Sequence, residues 1–161
     1  MIPMNQGLDL DPIAAQAVRD VLATGFKSHP IQVLPDEIPE DSIDAAWLTS
    51  LVNLEGTHAR GNVRLEISES LLDRLNESLG DCSRDPSTRE SELADLAGEL
   101  CNMIAGRIAS GLAASGLRFT LGTPVVLWGR TTEAEGGTGQ RRSRSGWTVG
   151  SGALILTIRI P

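Results

Sequence analysis

The chain has 161 residues, with 14 Lys and Arg against 21 Asp and Glu, a formal net charge of −7. That balance argues against nucleic acid as the partner, because phosphate binding needs a basic surface, and three Trp, two Phe and no Tyr leave few rings for stacking on bases. Hydrophobic residues make up 40% of the chain, the proportion of a globular protein, and no apolar run approaches the roughly 20 residues a membrane span requires.

This length suggests one domain, residues 1–161, able to bury a core without staples. The opening MIPMNQGLDLD has neither the basic nor the apolar stretch of a secretory signal, so a cytoplasmic location is expected. Two cysteines, Cys82 and Cys101, are too few for a disulfide framework, and Cys101 lies within an apolar helix pattern, where it reads as a small buried hydrophobe.

In chain order, PIAAQAVRDVLAT (12–24) predicts an amphipathic helix with Ile13, Ala17, Val18, Val21 and Leu22 on one face and Pro12 in its first turn. The proline-containing IQVLPDEIPEDS allows at most a short edge strand. AWLTSLVNLEG and GNVRLEIS read as a hairpin closed by Thr57–Arg60. In its second arm Val63, Leu65 and Ile67 alternate with Asn62, Arg64 and Glu66, as in a strand with one wet face. SESLLDRLNESLG follows as a helix stopped by Gly80. After the polar DCSRDP, the run STRE (Ser87–Glu90) fits a capping box opening a long helix to about Ser115, before Gly116.

The last third, TPVVLWGR and GALILTIRI, is strand-like. A further strand near GWTVG is preceded by a Gly-rich segment carrying Arg141, Arg142 and Arg144. That segment is expected to be a solvated loop, with contact to an acidic partner as the other reading. The order helix, hairpin, helix, long helix and two or three strands predicts an α+β layered domain with antiparallel pairing.

The long helix is unusual on one side. At about 100° per residue, Leu93, Leu96, Ala97, Leu100, Cys101, Met103, Ile104 and Ile108 form a broad apolar arc. Asp95, Glu99, Asn102 and Gly106 fall within roughly 60° on the other side, flanked by Gly98, Ala105, Ala109 and Ala113. A solvated helix face normally carries long charged side chains; this one is nearly bare.

Two explanations fit. Small residues suit close packing against another element of the same chain, in which case Glu99 needs a partner there. They equally suit a surface that a partner protein approaches closely, with Glu99 and Asn102 delivered together by their i,i+3 spacing. A metal site on Asp95 and Glu99 lacks further ligands, and His29 and His58 lie far away in sequence.

The pattern Asp95-x3-Glu99-x2-Asn102, with Pro124 about twenty residues on, resembles the signature of the CheC/CheX/FliY chemotaxis phosphatases. GELCNMIAG is similar to that family's helix core, TPVVLWG to the strand after it, and LVNLEG…GNVRLEIS with its following helix to the family's first hairpin and helix. The resemblance runs from about residue 10 to the end and is strongest over 94–129. CheC-type members carry two Glu/Asn helices. Here the only second candidate is Asp73-x-x-Asn76, which has the wrong acid and no small flanking residues and reads as surface polarity, so the chain looks more like CheX.

The resemblance implies a CheX-like layered fold, a homodimer and a phosphatase that hydrolyses the aspartyl phosphate of a CheY-type response regulator. Asn102 would orient the attacking water and Glu99 would pair with the regulator's lysine. Asp95, Gly98, Gly106 and Ala109 would form the docking face. No cofactor of its own is implied, the Mg2+ being on the regulator. The alternative from another class is a non-catalytic CheC-like interaction module in a flagellar switch or signalling complex.

Overall fold

The computed structural model describes residues 7–34, 37–38, 46–80, 83–130 and 139–161. Cys82 and most of the proline-containing stretch after Leu34 lie outside them. The elements are α1 (Leu10–Phe26), β1 (Ile31–Val33), β2 (Trp47–Glu55), β3 (Arg60–Ser68), α2 (Glu69–Ser78), α3 (Pro86–Ala114), β4 (Thr120–Leu121), β5 (Val125–Trp128), β6 (Arg141–Val149) and β7 (Gly152–Ile160).

The seven strands make one antiparallel sheet in the order β1-β6-β7-β3-β2, with β4 and then β5 both pairing along the far edge of β2. β3 and β7 join the two hairpins at its centre, with Leu65 opposite Leu156. The α+β antiparallel expectation holds. Val63, Leu65 and Ile67 of β3 and Leu154, Leu156 and Ile158 of β7 meet Val18, Val21 and Leu22 of α1 and Leu93, Leu100, Ile104 and Ile108 of α3 in one core. Burying a Leu or Ile side chain is worth about 1.5–3 kcal/mol, so this face supplies most of the drive to fold.

Four local expectations change. α3 does not open at a Ser87–Glu90 capping box. Asp85 is its N-cap, its carboxylate accepting from Thr88 N and from both Ser87 Oγ and Thr88 Oγ1, with Pro86 in the first turn. An Asp before Pro satisfies the free amides two residues earlier than Ser87 could.

The Arg141–Arg144 stretch is strand rather than solvated loop. It begins β6, in which Ser143, Ser145, Trp147 and Val149 point to the helices. Ser143 Oγ donates to Asp11 and Arg141 donates to Leu8 O at the start of α1. Short serines leave room there for α1, which is why the run lacks an apolar signature.

The other side of β3 is not wet throughout: Arg64 and Glu66 are buried. Glu66 Oε1 accepts from Arg64 at 3.4 Å and from Arg130 Nε at 3.1 Å, and Arg130 lies 5.1 Å from the centre of the Trp47 ring. Pairing is what makes charges tolerable at that depth.

Asp73 and Asn76 are likewise more than surface polarity. Arg89, at the start of α3, pairs with Asp73 and, at 2.7 Å, with Glu69, and these partners push its proton affinity still higher. Asn76 Nδ2 donates to Glu92 at 3.2 Å. Both contacts fasten α2 along the first turns of α3.

Candidate functional site

α3 lies on the sheet with its apolar arc inward, so the opposite ridge faces outward. Asp95 and Glu99 are exposed and Asn102 is half-buried. Among the described residues these three side chains make no hydrogen bond or ion pair. An acid buried and paired within its own chain would have marked a structural role for Glu99; it is neither.

Helical geometry sets Glu99 and Asn102 on adjacent turns, about 5–6 Å apart at their Cβ atoms. A carboxylate and an amide at that spacing can hold a cation and a polarised water side by side. The ridge is firmly seated. Cys101, directly behind it, points inward, its Sγ 3.6 Å from Ser50 O, and burial pushes its thiol up to about 12. The thiol is therefore packing, not chemistry.

The bare flank of the ridge has its explanation within the chain. Gly98 is buried, and a Cβ there would stand 3.3 Å from Val126 Cγ2 and 3.6 Å from Pro124 Cβ. Its small size admits β5 and the residue before it. Gly98 is thus occupied by packing within its own chain. One turn beyond Asn102, a Cβ on Gly106 would lie 3.8 Å from Leu121 Cδ1. Gly106 and Ala109 are half-buried and remain beside the ridge. Thus the contacts of Pro124 at Gly98 and of Leu121 at Gly106 lie along α3 four residues to either side of Asn102.

On its other side the ridge borders an open trough of about 650 Å3 between the end of α2 and α3, reaching from Asn76 and Leu79 to Asp95 and Glu99. The sequence gives little warning of Leu79. Its spacing from Leu72 and Leu75 suggests the core, yet it is 55% exposed. Among the described residues no group of three His, Cys, Asp or Glu side chains converges to hold a metal, and no helix is long and apolar enough to cross a membrane.

The same fold occurs in the chemotaxis protein CheX of Vibrio vulnificus, which is 21% identical, with 98% of this chain and 99% of that one covered and a TM-score of 0.78. It occurs in the CheX of a complex with CheY, BeF3 and Mg2+ from Borrelia burgdorferi, at 18% identity, coverage of 96% and 99% and a TM-score of 0.73. FliY of Thermotoga maritima is more distant, at 14% identity, coverage of 92% and 85% and a TM-score of 0.59. No curated protein matches the sequence. At these identities the likeness is one of fold, but the family model for the chemotaxis phosphatase CheX matches residues 48–143, which takes in both hairpin arms, α2, all of α3 and β5. On that match, the chain belongs to the CheX family of chemotaxis phosphatases.

Proposed function

We propose that the protein hydrolyses the aspartyl phosphate of a CheY-type response regulator, with Asn102 and Glu99 as its working pair. The observation that carries this reading is the outward ridge of α3, where an acid and an amide stand without partners among the described residues. Membership of the CheX family and the Borrelia burgdorferi complex of CheX with CheY support the choice of substrate.

In the reaction the water oxygen bonds to phosphorus as the phosphorus–oxygen bond to the aspartyl carboxylate breaks, and inorganic phosphate leaves. A carboxylate departs readily without a general acid, so placing the water in line is the main task. Asn102 suits it. Its side-chain oxygen accepts from the water while its amide nitrogen donates to a phosphoryl oxygen or the water itself. An amide is too weak a base to take the proton at neutral pH, so its contribution is orientation.

Glu99, one turn earlier, pairs with the regulator's active-site lysine and sets the register of docking. Asp95, Gly106 and Ala109 border the contact. The magnesium ion belongs to the regulator, and the protein acts in the cytoplasm, where that substrate is. A purely non-catalytic module has less use for an unpaired acid and amide set together.

The protein is further proposed to be a homodimer. Among the described residues β5 pairs only with β2, and Val125, Leu127 and Trp128 are 55%, 51% and 45% exposed at that edge. Free apolar edges are rarely left open in monomers.

The experiment follows phosphate release from a phosphorylated CheY-type regulator. Asn102→Ala removes at least about 100-fold of the acceleration, and Glu99→Ala chiefly weakens the productive complex. Turnover unchanged in both variants defeats the assignment.

A further inference from the structure

We propose that the trough between α2 and α3 is a second docking subsite, taking a basic side chain of the phosphorylated regulator and resting its hydrocarbon stem on Leu79 and Leu96. The inference depends on the phosphatase reading above and adds where, and by what chemistry, the substrate protein is selected.

The walls of the trough are fixed before any partner arrives. Glu92 accepts from Asn76 Nδ2 at 3.2 Å and from Ser83 N at 3.3 Å, which ties the end of α2 and Ser83 to α3. Leu79 caps α2 with its own N–H bonded back to Asn76 O and Glu77 O, so its exposed side chain stands on a settled backbone. Glu92 is thereby committed, whereas Asp95 and Glu99 on the same wall have no partner among the described residues. Those two carboxylates repel each other across one turn, and a cation beside them relieves the repulsion.

The chemistry of the occupant follows. A trough lined by Leu79 and Leu96 together with carboxylates fits the long stem and charged head of Lys or Arg better than a purely apolar side chain. A second copy of this chain, at a net charge of −7, fits the rim poorly. Position also matters. Glu99 lines the trough and belongs to the reactive ridge, so a regulator seated with its phosphoryl group at Asn102 lies across the trough within about one helical turn, roughly 5–6 Å. With Glu99 engaged by the active-site lysine, Asp95 is left for the second cation.

The test measures KM and kcat on a phosphorylated CheY-type regulator, together with Kd for the same regulator loaded with BeF3 and Mg2+ in an Asn102→Ala background. Asp95→Asn is expected to raise KM and Kd about tenfold and to flatten their salt dependence. Leu79→Ser should raise both about fivefold, kcat in each case staying within about twofold. Asp95→Glu restores binding, which a merely structural role for Asp95 does not predict. KM and Kd within twofold of wild type for both variants, with Asn102→Ala still inactive, overturn the subsite and leave the phosphatase reading standing. A wild-type protein that neither binds nor dephosphorylates the regulator overturns both.

Discussion

Replacing Gly98 tests the central packing claim, that this residue is small for the sake of β5 and not of a partner. Alanine there removes the conformational freedom of glycine within α3, a gain of about 1 kcal/mol. Its Cβ arrives 3.3 Å from Val126 Cγ2 and 3.6 Å from Pro124 Cβ, so β5 has to yield by only a few tenths of an ångström. The two effects nearly cancel, and Gly98→Ala is expected within about 1 kcal/mol of wild type.

Leucine adds three more carbons in the same direction, into space that Val126 and Pro124 already occupy. Overpacking of this kind costs about 1–3 kcal/mol, which leaves Gly98→Leu about 0–2 kcal/mol less stable after its helix propensity is credited. Urea unfolding followed by far-UV circular dichroism measures this as a fall in the midpoint at constant slope. A Gly98→Leu protein with the wild-type midpoint but without regulator binding refutes the reasoning, since the new side chain would then be obstructing a partner.

Other consequences are separately measurable. The Asp85 carboxyl accepts from the Ser87 and Thr88 side chains and from Thr88 N, which hold it below its ordinary 3.8. A lowered carboxyl stabilises the fold above that value and loses its contribution as pH falls through the folded pKa. Asp85→Asn, which caps without titrating, should flatten the drop in thermal midpoint below pH 3.8. In a Cys82→Ser background, Cys101 should react with a thiol reagent at pH 8 at least about 100-fold more slowly in the folded than in the urea-unfolded protein; equal rates contradict its burial. Val125→Lys with Leu127→Lys should halve the mass seen by light scattering, and a wild-type dimer left intact by both changes places its interface elsewhere.

Legibility in the sequence varied with the physics of each element. The apolar arc of α3 and the inward row Val63, Leu65, Ile67 were plain because burial on one face imposes a period. Glu99 and Asn102 stood out because nothing in a core or on an ordinary solvated face calls for them. The reason for Gly98 was not readable, because it depends on Pro124 and Val126, which come alongside only after the chain has turned back. The start of β6 was hidden for the opposite reason: arginines and serines look solvated unless one knows that α1 needs small neighbours there. Leu79 obeys the helical period of α2 yet lies past its last turn, so its exposure was not readable either. Asp85 was overlooked since the later STRE pattern imitates a cap so well.

The contacts of Pro124 with Gly98 and of Leu121 with Gly106 separate two kinds of spacing in this chain. Glu99 and Asn102 are related by the pitch of a helix, and a single inserted residue between them would rotate one away from the other by about 100°. Along the chain, Asn102 and Pro124 are related through the end of α3, the turn from Ser115 to Phe119 and β4. Loops absorb length at small entropic cost, about 0.6 kcal/mol for a doubling. An insertion in that turn should therefore be tolerated, while one between Glu99 and Asn102 should not. Alignments of such chains are better made as two rigid words with an elastic gap than as one fixed phrase.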